Sequence, residues 1–292
     1  MPERKFTLFH FSLIPIAQAT LTMRTRDTRE DWLRYALSEP FEFGHFAGLK
    51  LHWVPRGFAE ECIVGLIQRT RTHELHQSPD EGGGEITREE WQGAYVMVDP
   101  THHDEGQRIA VENDLVGKPT SLLKSLAKHL NQMDEAPYQI EIEPLFDASR
   151  FWAFAKDHEN IMRWIDFDFV VPNMWSTESD LDADLRETGA TTGAERVSVA
   201  FRSDHGVTTD NQKVREGVEY AERGAGTLRA RAMDGARFRS TSQPLTSKIP
   251  AIKAGAEDML KYFVGLKRKI LSRGKSPTMD VADRPDDGTP DN

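Results

Sequence analysis

The sequence predicts an α+β fold built mainly from antiparallel sheets with interspersed helices. Several segments alternate apolar and polar residues with a period of two, as where Ile165, Phe167 and Phe169 alternate with Asp166 and Asp168. This alternation is typical of strands with one buried face, which antiparallel sheets allow. Segments with helical spacing of apolar residues lie between the strands, but no regular βαβ alternation with uniformly apolar strands is present.

The first part of the chain is predicted to be mostly strand. Residues 5–14 are apolar and rich in aromatic side chains, which indicates a strand buried on both faces. A helix is expected at 27–37, with Asp27 or Thr28 as its N-cap. Residues 72–88 are polar and contain three successive glycines, so we expect a mobile loop there. Further strands are expected at 41–43, 49–54, 62–70, 94–98 and 108–112.

The clearest helix in the sequence is predicted at 119–131. Leu122, Leu123, Leu126 and Leu130 follow the spacing of one helix face. A long closing helix is expected in the last quarter of the chain, followed by a Pro- and Asp-rich tail that lacks an apolar anchor and should be disordered. The helices are expected at 147–158, 180–187, 213–223 and 250–272, and the strands at 138–143, 163–171, 196–201, 227–233 and 236–239.

The 292 residues suffice for one large domain or two smaller ones. We expect an α+β domain at 1–172 that includes the mobile loop, a smaller basic α+β region at 173–275 that ends in the long helix, and the disordered acidic tail at 276–292. The only cysteine, Cys62, excludes an intramolecular disulfide and suits a reducing cytoplasm. No apolar run approaches the roughly 20 residues that cross a bilayer, so we expect no membrane insertion.

Charge is distributed unevenly along the chain. Residues 213–275 contain fifteen Lys and Arg against six Asp and Glu, although the formal net charge of the whole chain is −10. A basic segment inside an acidic protein indicates a polyanionic partner such as nucleic acid. No catalytic motif of high specificity accompanies it, so the sequence favours a binding protein over an enzyme and predicts no cofactor.

The first candidate site is an arginine-rich hairpin predicted around Asp234-Gly235. A two-residue turn would place its two pairs of arginines on opposite faces of the hairpin. If Ala236 joins a three-residue loop, all four guanidinium groups share one face, where they repel one another unless a polyanion neutralises them. The alternative interpretation is a solvated or ion-paired sheet face. The four arginines are Arg229, Arg231, Arg237 and Arg239.

The second candidate site is the C-terminal half of the helix expected at 250–272. Basic residues near a helix C-terminus complement the helix dipole, which explains part of the cluster. The run Lys267-Arg268-Lys269 exceeds that need and indicates contacts with phosphate groups, or with acidic segments of this chain or of a second copy. The basic residues of this cluster are Lys261, Lys267, Arg268, Lys269, Arg273 and Lys275.

Carboxylates on two predicted strands supply the alternative of an enzyme. Glu141 and Glu143 alternate on one strand, and Asp166 and Asp168 alternate on another. If the strands are neighbours, these groups could hold Mg²⁺ as in a metal-dependent nuclease. No lysine follows at the spacing typical of nucleases, so we prefer solvated strand faces and predict no metal site.

The order of segments in residues 93–173 resembles a known protein family. Gly93-Ala94-Tyr95-Val96-Met97-Val98-Asp99 precedes Gln107-Arg108-Ile109-Ala110 and Ser121-Leu122-Leu123-Lys124-Ser125-Leu126. Ile140-Glu141-Ile142-Glu143-Pro144-Leu145 follows, and then Ile165-Asp166-Phe167-Asp168-Phe169 and Pro172-Asn173. This order is similar to that of the Rex A family of phage-exclusion proteins and of related phage-defence proteins. The resemblance implies a cytoplasmic, dimeric DNA-binding sensor without metal chemistry, and it transfers no site residue because the basic segment lies outside it.

The sequence therefore predicts a non-enzymatic protein of phage defence, a sensor or an effector subunit, that binds double-stranded DNA through phosphate contacts. Only Phe238 and Tyr262 interleave the basic residues, which disfavours stacking of single-stranded bases. The alternatives are the metal-dependent nuclease and an interaction subunit whose basic face docks an acidic partner. We expect a cytoplasmic homodimer, another homo-oligomer, or a complex with a partner defence protein.

Overall fold

The structure, a computed structural model, describes residues 3–16, 28–59, 61–101, 107–114, 116–133, 136–171, 180–250 and 264–265. It confirms the α+β class, because helices are interspersed among strands that pair antiparallel throughout the described residues. The strands are β1 (Glu3–Pro15), β2 (Phe41–Gly44), β3 (Lys50–Ala59), β4 (Cys62–His76), β5 (Glu85–Asp99), β6 (Gln107–Glu112), β7 (Tyr138–Pro144), β8 (Met162–Val170), β9 (Arg196–Arg202), β10 (Gly226–Ala232), β11 (Arg237–Arg239) and β12 (Thr246–Pro250). The helices are α1 (Arg29–Ala36), α2 (Pro119–Asn131), α3 (Ala148–Asp157), α4 (Asp180–Thr192) and α5 (Gln212–Glu222).

The larger sheet has eight strands in the order β12-β1-β6-β5-β4-β3-β2, with β7 also paired to β1. β6 lies along one side of β1, while β12 and β7 share the other side, against residues 3–7 and 9–15 respectively. The first strand is therefore an interior strand of its sheet, paired on both sides. Phe6 and Phe9, which point to opposite faces, are both 0% exposed, as the aromatic-rich sequence predicted.

Two helices cover one face of the larger sheet. α1 begins at the predicted N-cap Thr28, whose side-chain oxygen accepts a hydrogen bond from the Asp31 backbone N–H at 3.1 Å. α2 has the predicted bounds, because Pro119 favours the first helical turn and the leucine stripe fixes the buried face. Both helices pack on the same apolar cluster as Phe9 and Trp53.

The opposite face of the larger sheet carries a second apolar cluster. Phe6, Leu8 and Leu145 belong to it, and Leu245 and Val264 pack against it. Val264 lies in the predicted closing helix, of which the structure describes only residues 264–265 as helical. The rest of that helix and the tail 276–292 lie outside the described residues.

The expectation of a loop at 72–88 is wrong for most of its length. β4 continues to His76 and β5 begins at Glu85, so the two strands form one long hairpin with a register of Ile63–Val98 to His76–Glu85. Most of the outer half is exposed, although Arg69 and His73 are half-buried. Backbone pairing therefore defines these strands where apolar alternation, the signal used for the prediction, is absent.

The smaller sheet has four strands in the order β11-β10-β8-β9. Its inner face packs on α3, α4 and α5, where Phe167 and Phe169 meet Leu185 and Val218. A side chain at Gly217 would place its Cβ 2.9 Å from the Phe167 ring, so glycine lets α5 lie close to the sheet. Helices thus cover this sheet on one face.

The boundary between the sheets differs from the predicted division at residue 172. β8, which precedes residue 172, belongs to the smaller sheet, and β12, which lies in the predicted second region, returns to β1 in the larger sheet. Leu8 of β1 is hydrogen-bonded to the segments that lead into and out of the smaller sheet. Its N–H donates to the Leu245 carbonyl and its carbonyl accepts from the Leu145 N–H, both at 3.0 Å. No helix in the described ranges is both long and apolar enough to cross a membrane.

The loop after α5 also joins the two sheets. Gly224, with a φ of 85°, lies so close to β1 that a Cβ there would be 2.1 Å from the His10 Cβ. His10 is itself buried. Burial lowers the pKa of its imidazole to about 4, and the charge of Arg108 acts in the same direction. The two sheets therefore meet at a neutral, enclosed histidine.

Candidate nucleic-acid interface

The outer face of the smaller sheet carries the residues that alternate with its core. Ile165, Phe167 and Phe169 of β8 point inward and are at most 1% exposed. Trp164 and Asp166 therefore point to the opposite face. The outward-facing residues of β9 and β10 lie in register with those of β8, and β11 pairs with β10. Side chains from four strands therefore form one continuous surface.

The hairpin of β10 and β11 brings all four of its predicted arginines to this outer face. Arg229 lies opposite Arg239, and Arg231 lies opposite Arg237. Neither predicted loop is correct, because Met233 joins Asp234 and Gly235 in the loop and the Ala232 N–H donates to the Ala236 carbonyl at 2.9 Å. The consequence expected from a three-residue loop nevertheless holds, and the four guanidinium groups share one face.

Ion pairing neutralises only part of this surface. The Arg229 Nη2 lies 2.8 Å from the Asp166 Oδ2, with the Arg229 side chain 50% exposed. Arg231, Arg237 and Arg239 form no ion pair with any residue in the described ranges. Arg202 of β9 adds a fifth guanidinium, which is exposed and in register with Trp164. We call Arg202, Arg229, Arg231, Arg237 and Arg239 the arginine face.

A cross-strand row runs through the middle of this surface. Across the sheet, Arg237 pairs with Arg231, Arg231 pairs with Trp164, and Trp164 pairs with Arg202. Side chains directly opposite one another on neighbouring strands have Cβ atoms about 4.5–5.5 Å apart. The tryptophan is therefore flanked by an arginine on each side.

Arg196, at the end of β9 nearest the larger sheet, forms ion pairs with three carboxylates. Its Nη1 lies 3.0 Å from the Glu141 Oε2 and 3.7 Å from the Glu143 Oε1, and its Nη2 lies 3.0 Å from the Asp168 Oδ2. Burial raises the pKa of the Glu143 carboxyl, while the positive charge of Arg196 opposes that rise. The guanidinium thus pairs with carboxylates from both sheets.

This arrangement bears on the alternative of a metal-dependent nuclease. Glu141, Glu143 and Asp168 do converge, as the alternative requires, but they converge on a guanidinium, and Asp166 pairs with Arg229. Among the described residues, no group of three or more His, Cys, Asp or Glu side chains is arranged to hold a metal ion. The geometry therefore favours a structural role, in which the ion pairs of Arg196 with Glu141, Glu143 and Asp168 link the two sheets.

The second predicted basic cluster cannot be placed beside the first. Lys261, Lys267, Arg268, Lys269 and Arg273 all lie outside the described residues. Their proposed phosphate contacts stay a prediction from the sequence.

Sequence reasoning missed Trp164, Arg196 and Arg202 as members of this surface. The alternation that placed Asp166 and Asp168 on an outer strand face extends to Trp164, so a signal for its orientation was present. Its neighbours could not be predicted, because the pairing of β8 with β10 brings Trp164 next to Arg231, which lies far along the chain. Phe238, the aromatic that the sequence did single out, is instead only 6% exposed, in the core with Phe151. Comparison of the chain with protein-family models and with curated proteins found no match.

Proposed function

We propose that the protein binds nucleic acid without catalysing a reaction on it, through phosphate contacts made by the arginine face. The observation that carries this proposal is the direct pairing of like charges across β10 and β11, where Arg231 faces Arg237 and Arg239 faces Arg229. Like charges directly opposite one another destabilise a sheet. A phosphate backbone would neutralise them, because guanidinium groups donate paired hydrogen bonds to phosphate oxygens.

The remaining parts of this proposal come from the sequence. A role in phage defence, and assembly as a homodimer or with a partner defence protein, follow from the resemblance of residues 93–173. The sequence predicted double-stranded DNA as the ligand, whereas the proposal itself requires only a phosphate backbone, double- or single-stranded. Lys267, Arg268 and Lys269 are predicted to add phosphate contacts to those of the arginine face.

The test is the binding of labelled nucleic acid by the full chain at several salt concentrations. The variant carries R237E and R239E, two exposed side chains on the edge strand β11. We expect its affinity to fall by about 10- to 100-fold, and the dependence of affinity on salt to become shallower, because fewer counterions are released on binding.

A matched control carries the same change in net charge on the other side of the same sheet. Lys213 and Arg215 lie on α5, and each side chain is 61% exposed. The K213E/R215E variant should bind as the unaltered chain does. Equal losses in the two variants would mean that net charge alone matters, and absence of binding to any nucleic acid would overturn the proposal and favour an acidic protein partner.

A further inference from the structure

We infer that the arginine face takes a single strand of nucleic acid, and that Trp164 is the platform on which one of its bases stacks. This inference rests on the proposed function and names the class of nucleic acid. It departs from the duplex that the sequence predicted, since that prediction depended on the absence of a suitable aromatic residue among the basic ones.

The position of Trp164 is the first argument. Its neighbour Ile165 is 0% exposed and packs with the helices, whereas Trp164 is half-buried and belongs to none of the apolar clusters of the described residues. Other aromatic residues of this region, Trp152 and Phe154, do pack against the inner cluster. A large apolar ring on a polar sheet face gives up part of the stabilisation that full burial would provide. A stacked base would complete that burial.

The residues around Trp164 are the second argument. Arg231 and Arg202 are its partners on either side, and Arg237 continues the same row. A nucleotide presents a planar base and a charged phosphate at once, so a ring between guanidinium groups matches both parts. Open four-stranded sheets with exposed aromatic side chains bind single-stranded bases by such stacking.

The shape of the surface argues against a duplex. Four strands at a spacing of about 4.8 Å extend ~14 Å between the outermost strand axes. The major groove of B-DNA is ~12 Å wide and admits a helix or a two-stranded ribbon. The faces of duplex bases are also stacked on one another, where Trp164 cannot reach them. An open sheet with a stacking ring therefore suits a flexible, unpaired strand.

The test compares four ligands on the full chain: an oligothymidine and an oligouridine of about 20 nucleotides, which exceeds the ~4–16 nucleotides of comparable sites, a duplex of the same length, and inorganic polyphosphate of matched charge. Polyphosphate carries the negative charge without bases. The variants are W164L and W164F, with W91L as the control, because Trp91 is 54% exposed on β5 in the larger sheet.

We expect W164L to bind both oligonucleotides about 10-fold more weakly, which is the ordinary effect of losing one stacked base. W164F should recover most of that loss, and neither change should affect polyphosphate. W91L should bind all ligands as the unaltered chain does.

Two results would overturn the inference and leave the proposed function standing. One is tighter binding to the duplex than to either single strand. The other is equal loss of oligonucleotide and polyphosphate binding in W164L, which would make the residue a support for the sheet and not a base platform. Failure of the unaltered chain to bind any of the nucleic acids would instead remove the proposed function itself.

Discussion

The two sheets differ in how their faces are covered. The larger sheet has apolar clusters on both faces, one under α1 and α2 and one beneath Leu245 and Val264. Among the described residues, the smaller sheet packs on helices with its inner face only, and its outer face carries arginines and the half-buried Trp164. The difference shows that an apolar face must be covered by the chain itself, whereas a charged face can stay open to solvent. Under the proposed function, that open face is the one that binds nucleic acid.

The largest effect on stability is expected at the contact between the two sheets. G224A should lower the free energy of unfolding by about 3 kcal/mol or more, because alanine is strained at a φ of 85° and its Cβ would collide with the His10 Cβ. Chemical denaturation measures the loss. G235A is the control, since a Cβ added at Gly235, where φ is 94°, would meet no atom within 4 Å, and it should cost only about 1 kcal/mol. Equal losses would show that strain alone matters.

The buried His10 makes the same contact sensitive to pH. The folded protein holds this imidazole at a pKa of about 4, against 6.5 in the unfolded chain, so the unfolded state binds more protons between these values. Stability should be complete above pH 6.5 and fall by up to about 3 kcal/mol as pH decreases to 4. Unfolding free energies measured across this range should decline less in H10Q, and a parallel decline in both proteins would assign the effect to other groups.

The smallest effect concerns the exposed face. R239Q removes one of two guanidinium groups that face each other across β10 and β11, so we expect the protein to gain about 0.5 kcal/mol of stability at low salt. The gain should disappear at high salt, where the repulsion is screened. Thermal melting at two ionic strengths measures it. A loss of stability at low salt would mean that the arginine face is not under electrostatic strain.

The sequence was most informative where local patterns decide the structure. Pro119 and four spaced leucines predicted the bounds of α2, and the alternation in β8 predicted which side chains form the core. It failed in the outer halves of β4 and β5, where polar residues face solvent and pairing depends on backbone hydrogen bonds. β12 was missed altogether, as its five residues acquire their role only by pairing with β1.

The candidate site was predictable in part for the same reason. Two arginines on each side of a turn are a local signal, so the hairpin could be found from the sequence. The exact loop could not be predicted from the sequence. Whether Met233 or Ala236 is its third residue depends on fine differences in turn geometry. The neighbours of Trp164 follow from pairing between distant strands, which no local pattern encodes.

The pairing of β1 on both of its sides has a consequence for how the protein is made. Its partners β6, β7 and β12 are translated later, and β12 ends only at Pro250. At about 5–20 residues per second, the strand waits on the order of tens of seconds for its last partner. Throughout that time its apolar side chains and unpaired backbone groups can join other nascent chains. We therefore expect β1 to need shielding until β12 has left the ribosome.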